Sequence, residues 1–144
     1  MKIVFDTSVL VAALVLPHPM HQRAFPWLKR VKAREIDMII ASHTLAELYA
    51  VLTTLPVSPR ISPDIAWRLM NENIVKVASI VSLKSSDYIA VIKSLRDEGF
   101  SGGLVYDTLI VQSAIKSNAD KLLTFNVSDF ERVSLHRDIK ILSP

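Results

Sequence analysis

Short apolar runs alternate along the chain with longer stretches whose apolar positions recur every three to four residues. The runs read as β-strands and the stretches as amphipathic helices. The pattern predicts strands over 2–5, 37–41, 77–82, 121–125 and 139–142. Helices are predicted from Ser8 to Val15, where Pro17 stops the first, and over 20–33, 43–54, 106–118 and 128–132. Ser62-Pro63 supplies a serine N-cap with proline at the first helical position, and opens a helix reaching about Ile74. Ser85 or Ser86 caps another that ends near Gly99, and Gly102-Gly103 makes a turn. Leu45, Leu48, Leu52 and Leu55 form one stripe. Leu109, Ile110, Val111, Ala114 and Ile115 cover most of a helix circumference, so the 106–118 helix should lie inside. Such alternation is the signature of an α/β fold with a parallel sheet. The prolines at 56, 59 and 63 mark a loop within one domain spanning 1–144, because composition does not shift across them.

The composition sharpens the class. The chain has 144 residues, half of them hydrophobic and three glycine, which favours a packed core over disorder. It has no cysteine, so disulfides and thiolate zinc sites are excluded and the cytoplasm is the expected compartment. The apolar run Val9–Leu16, with Lys2 ahead of it, has the look of a secretory segment; Asp6 between them and the lack of a small-x-small site argue against that. No stretch approaches the roughly 20 apolar residues of a membrane span, so no membrane association is expected. A net charge of +3 suits a polyanionic partner without requiring one.

Candidate chemistry rests on four acids: Asp6, Glu47, Asp107 and Asp129. Each falls where an apolar run gives way to a helix, or within a turn or so of a helix start. In an open parallel sheet the carboxyl ends of the strands share one edge, and ligands bind there. Two like charges about 4 Å apart repel by roughly 4 kcal/mol at an effective dielectric of 20. A proton or a cation must relieve that repulsion, and hard divalent cations take oxygen ligands. Each acid also has an ordinary explanation. Asp6 and Asp129 fit N-caps, Thr44-Leu-Ala-Glu47 fits a capping box, and Asp107 fits a favourable charge at a helix start. Asp6 and Asp107 nevertheless sit in apolar surroundings with no adjacent lysine or arginine. The hydroxyls of Thr7, Ser8 and Thr124 fall at the same edge, suited to orienting carboxylates.

Other chemistry is weakly signalled. His18, His21, His43 and His136 are widely spaced, and His43-x-x-x-Glu47 lacks the second histidine of a zincin. There is no G-x-S-x-G and no glycine-rich phosphate loop. Lys29, Arg30, Lys32 and Arg34 are the densest basic group, with a solvated helix face as the simplest reading. Arg60, framed by prolines, is a candidate phosphate contact or the partner of an acid such as Glu72. Trp27, Leu28, Trp67 and Leu69 offer apolar area for an interface, although large aromatics are more often core.

The ordered set Asp6-Thr7-Ser8, Glu47, Tyr106-Asp107 and Leu123-Thr124-Phe125-Asn126-x-x-Asp129-Phe130 resembles the PIN-domain ribonucleases, most closely the VapC-type toxins of toxin–antitoxin pairs. The resemblance runs over essentially the whole chain. It implies a three-layer α/β/α sandwich around a mainly parallel sheet of four to five strands. It further implies Mg²⁺- or Mn²⁺-dependent hydrolysis of RNA, with one or two ions per site. Asp6, Glu47 and Asp107 match the first three acidic positions of that family. The fourth falls on Asp129 or, in other members, on the place of Asn126. A small antitoxin and a homodimer are the implied partners. Two rivals predict other outcomes. A receiver-like domain needs a lone aspartate after its central strand, whereas strand three here ends Val81-Ser82. A catalytically silent PIN-like module would bind RNA or protein without cutting.

Overall fold

The computed structural model describes residues 1–144. Five strands form one sheet: β1 (Lys2–Phe5), β2 (Asp37–Ala41), β3 (Ser79–Val81), β4 (Lys121–Leu123) and β5 (Lys140–Leu142). Their order is β3-β2-β1-β4-β5, and all four pairings are parallel. The chain winds outward from β1 to β3, then crosses back to β4. The order therefore reverses between β1 and β4, and the crevice above that pair is where an open α/β sheet receives ligands.

Seven helices cover the sheet: α1 (Thr7–Leu14), α2 (His21–Lys32), α3 (Ser42–Thr54), α4 (Pro63–Met70), α5 (Ser85–Glu98), α6 (Leu104–Lys116) and α7 (Val127–Val133). A π-helical turn, Asn71–Val75, extends α4. Strand side chains alternate between faces and so divide the core in two. Ile3, Phe5, Met38, Ile40 and Leu123 pack with α1 to α4. Val4, Ile39, Ala41 and Leu122 pack with α6 and α7, and α5 reaches the sheet's second layer through Val91 and Leu95 against Leu109. The expected α/β/α sandwich is therefore present. Its sheet is wholly parallel, and no helix is long and apolar enough to cross a membrane. The apolar run suspected of being a leader forms α1, with Val9, Leu10, Val11, Ala12 and Ala13 buried.

Several boundaries move, each for a local reason. Strand three shrinks to 79–81 because the N–H groups of Val77 and Ala78 go to the Ile74 carbonyl instead (3.1 and 2.8 Å). The 106–118 helix starts two residues early: the carbonyls of Gly102 and Gly103 accept from Val105 and Tyr106, so the glycine pair is its entry. Neither Ser85 nor Ser86 caps α5; Lys84 holds that position and the Asp87 carboxylate accepts the Lys84 N–H (2.8 Å). Ser62 does cap α4, accepting from the Ile65 N–H at 3.2 Å. Core burial of the tryptophans fails at Trp67, which is 54% exposed on α4, while Trp27 packs against the core beneath the Arg30 guanidinium.

Phe130 is fully buried under α7 and fixes that short helix to the sheet. Phe130→Ala is expected to cost about 3–5 kcal/mol in urea unfolding, the usual range for emptying a buried aromatic site.

Candidate active site

Asp6 closes β1. Its N–H donates to the Leu123 carbonyl (3.0 Å), so the β1–β4 ladder runs right up to it. It stands at the N-cap position of α1, yet its side chain makes no cap bond. Instead, one carboxylate oxygen, Oδ2, accepts the hydroxyls of Ser8 (2.7 Å) and Thr124 (2.8 Å). Those two hydroxyl oxygens in turn accept the backbone N–H groups of Phe125 (3.2 Å) and Asn126 (2.9 Å). Asp6 is only 5% exposed. It is thus a buried carboxylate held by a ring of hydrogen bonds that joins the ends of β1 and β4.

The other capping explanations also fail. Helix α3 begins at Ser42, so Glu47 lies beyond its first turn, and Thr44 is buried with its hydroxyl unpartnered rather than capping. Asp129 sits in the first turn of α7 and caps nothing, since neither α6 nor α7 has a side-chain cap; Asp107 does lie in the first turn of α6, where a negative charge is favourable, so that explanation stands.

Asp6, Glu47, Asp107 and Asn126 line one hollow of about 350 Å³, together with Thr7 and Ser8. Asp107 and Asp129 line a second, of about 510 Å³. Asp107 belongs to both, so the hollows meet there. The depth is graded: Asp6 lies at the floor, Asp107 is half-buried, and Glu47 and Asp129 stand exposed on the flanks. Burial and then the charges of Asp6, Asp129 and Glu47 push the Asp107 carboxyl up to about 7. Glu47 is also raised, first by desolvation and then by Asp6. Thr7 offsets part of that rise, although its buried hydroxyl has no partner at hydrogen-bond distance. The four acids therefore share one electrostatic field. They do not close into a tight cation cage, since no three acidic or histidine side chains converge that far.

The remaining expectations sort by place. Arg60 lies on the exposed connection after α3, pairs with no acid and lines neither hollow; Glu72 pairs with Lys76 instead (2.6 Å). The basic group Lys29–Arg34 ends α2 just before β2, at the amino edge of the sheet, away from the carboxylates. His43 is half-buried in the first turn of α3 with Nε2 unpartnered; burial lowers its pKa, against an opposing effect of Asp6. His18 and Phe125 line the first hollow and Arg132 the second. Phe125 and Arg132 stand beside motif residues, whereas the sequence around His18 carries no sign of this and only the fold brings it to the crevice.

The PIN domain family model matches residues 3–135. Ribonuclease VapC27 of Mycobacterium tuberculosis (strain ATCC 25618 / H37Rv) is 30% identical over 134 residues, 91% of either chain. Ribonuclease VapC40 from Mycobacterium tuberculosis (strain CDC 1551 / Oshkosh) is 29% identical, over 93% of this chain and 96% of that one. Among solved structures, VapBC2 from Rickettsia felis bound to a promoter DNA fragment superposes with a TM-score of 0.69 at 20% identity, over 100% of this chain and 99% of that one. The sarcin-ricin loop cleaving toxin VapC20 of Mycobacterium tuberculosis gives 0.65 at 16%, over 88% and 92%. With its acids gathered where the sheet order reverses and the family's model matched over nearly all its length, the chain belongs to the PIN domain family, in its VapC-type branch.

Proposed function

We propose that this chain is a divalent-cation-dependent endoribonuclease and the toxin of a toxin–antitoxin pair. The observation that carries the reading is that Asp6, Glu47, Asp107 and Asp129 line two hollows that meet at Asp107, at the β1/β4 switch point. Names of the curated relatives support the ribonuclease, and the VapBC complex among the structural neighbours supports an antitoxin partner.

The donor set suits Mg²⁺ or Mn²⁺. It is all oxygen, it holds surplus negative charge, and the buried Thr7 hydroxyl beside Glu47 is unpartnered. Asp6 and Asp107 would hold one or two such ions, completed by Glu47 and Asp129, whose exposed side chains are free to swing inward. A bound ion would supply charge neutralisation and Lewis-acid polarisation at the phosphate. The chain's own groups do the rest. Ser8 and Thr124 fix the Asp6 carboxylate, and Asn126, lining the same hollow, orients the bound phosphodiester. Glu47, on the flank of that hollow, takes the proton of an attacking water. The water oxygen bonds to phosphorus, the P–O bond to the leaving strand breaks, and the leaving oxygen takes a proton from solvent. Arg60 remains free for phosphate farther along the strand. Single-stranded or looped RNA suits an open crevice better than a duplex. A homodimer would cover exposed apolar residues such as Tyr88, Ile89 and Ile92 on α5.

Asp6→Asn is expected to abolish cleavage of labelled RNA with Mg²⁺ or Mn²⁺ while the circular dichroism melt stays cooperative. Undiminished cleavage by the purified variant rejects the site. Thr124→Val removes one hydroxyl from Asp6 and one acceptor from Asn126, and is expected to lower kcat by roughly tenfold to a hundredfold with smaller change in thermal stability. The proton linkage has a definite sign. Asp107 is raised when folded, so its contribution is present at acid pH and lost as pH climbs from the ordinary carboxylate range through about 7. Chelated protein should therefore melt at higher temperature at pH 5.5 than at pH 8. Asp107→Asn should flatten that difference, and Mn²⁺ should remove it at pH 8. A calorimetric titration at pH 6.5 should register proton release on Mn²⁺ binding.

A further inference from the structure

The second hollow extends beyond Asp107 and Asp129 to the turn at Phe100, Ser101 and Gly103, and to Arg132 on α7. A strand of RNA reaching the carboxylates must cross a field of negative charge. The first hollow contains no lysine or arginine to help it, and the second contains one. Arg132 lies one turn after Asp129, a spacing that favours an ion pair, yet it takes part in none of the six ion pairs of the protein. Its guanidinium instead lies over the Phe100 ring, 5.3 Å from the centroid. Phe100 is itself anchored: it packs against both clusters beneath α5 to α7, and its N–H donates to the Leu95 carbonyl (2.9 Å). Gly99, at a φ of +72°, reverses the chain to present it.

Stacking on a ring uses one face of a guanidinium and leaves its edge donors free to fork a phosphate. Competing cations are engaged or distant. Arg137 donates to the Val133 carbonyl and Ser94, Arg23 to the Pro144 carbonyl, and Lys116 pairs with Asp87.

We propose that this hollow is a phosphate subsite for single-stranded RNA, in which Arg132, held over Phe100, takes a phosphate neighbouring the one that is cut. The proposal rests on the ribonuclease reading for its substrate class. Arg132 is a binding and positioning residue; it sets on which side of the carboxylates the strand lies, and the turn at 99–103 forms the wall it runs along.

Binding and cleavage test this separately. A fluorescent single-stranded oligoribonucleotide is titrated with wild type, Arg132→Gln and Arg132→Lys in Ca²⁺ at several salt concentrations. Each phosphate neutralised on a single strand contributes about 0.7 to the slope of log K against log salt. Arg132→Gln is expected to lower the slope by about 0.7 and weaken low-salt binding roughly tenfold; Arg132→Lys should recover the slope but not all the affinity. Phe100→Leu, which removes the ring alone, should weaken binding with the slope kept. In the cleavage arm, Arg132→Gln should raise KM for RNA by a larger factor than it alters KM for bis(p-nitrophenyl) phosphate, which has no neighbouring phosphate. An unaltered salt slope overturns the subsite, as does equal loss on both substrates. If wild type cuts neither substrate but the slope still falls, the subsite stands and the hydrolytic reading fails; if wild type does not bind RNA, both fail.

Discussion

The structure depends on one knot of hydrogen bonds. A single oxygen of Asp6 receives Ser8 and Thr124, and their oxygens receive the next two backbone N–H groups after Thr124. Taking a carboxylate to 5% exposure is costly unless its acceptors are filled. Here the filling groups come from both strands that border the crevice. The knot thereby sets the separation of β1 and β4 at their carboxyl ends, and with it the shape of the hollow. It also leaves the rest of the carboxylate group facing Glu47 and Asp107 instead of capping α1.

Repulsion among the acids is the counterpart of that constraint. An apolar residue at Asp107 would relieve the strain that burial and three neighbouring charges impose. Retaining an acid there makes sense as stored demand for positive charge, since sites that bind or react are where such perturbed groups gather. The flanking pair, Glu47 and Asp129, remain exposed, so the arrangement combines a buried floor with solvent-facing walls. That division explains how four neighbouring acids exist without already forming a closed cage.

Much of this was legible in the residues. β1 and β2 fall at the expected positions because Lys2–Phe5 and Asp37–Ala41 are apolar runs bounded by polar residues. The four acids were recognisable by their place beside such runs, and their capping alternatives were open until side-chain partners were seen. Less was legible where tertiary pairing decides. The edge strand β3 has one partner, so its length follows β2 and not its own propensity. Helix α6 begins at the glycine turn because free carbonyls there accept its first N–H groups, which residue identity alone does not disclose. Arg132 is not marked by its own sequence surroundings as lying over a ring, since Phe100 is 32 positions earlier. Asn126 and Asp129 stand three positions apart in sequence, yet Asn126 lines the first hollow and Asp129 the second.

The distance along the chain between Asp6 and Thr124 has an outcome during synthesis. Their contact spans 118 positions, and a polypeptide leaves the ribosome from its amino end. Asp6 is made first and waits without its partner while β2, β3 and α6 emerge. Long-range closure of this kind comes late in folding. A nascent chain short of β4 therefore has the acids of its earlier segments but no crevice to gather them.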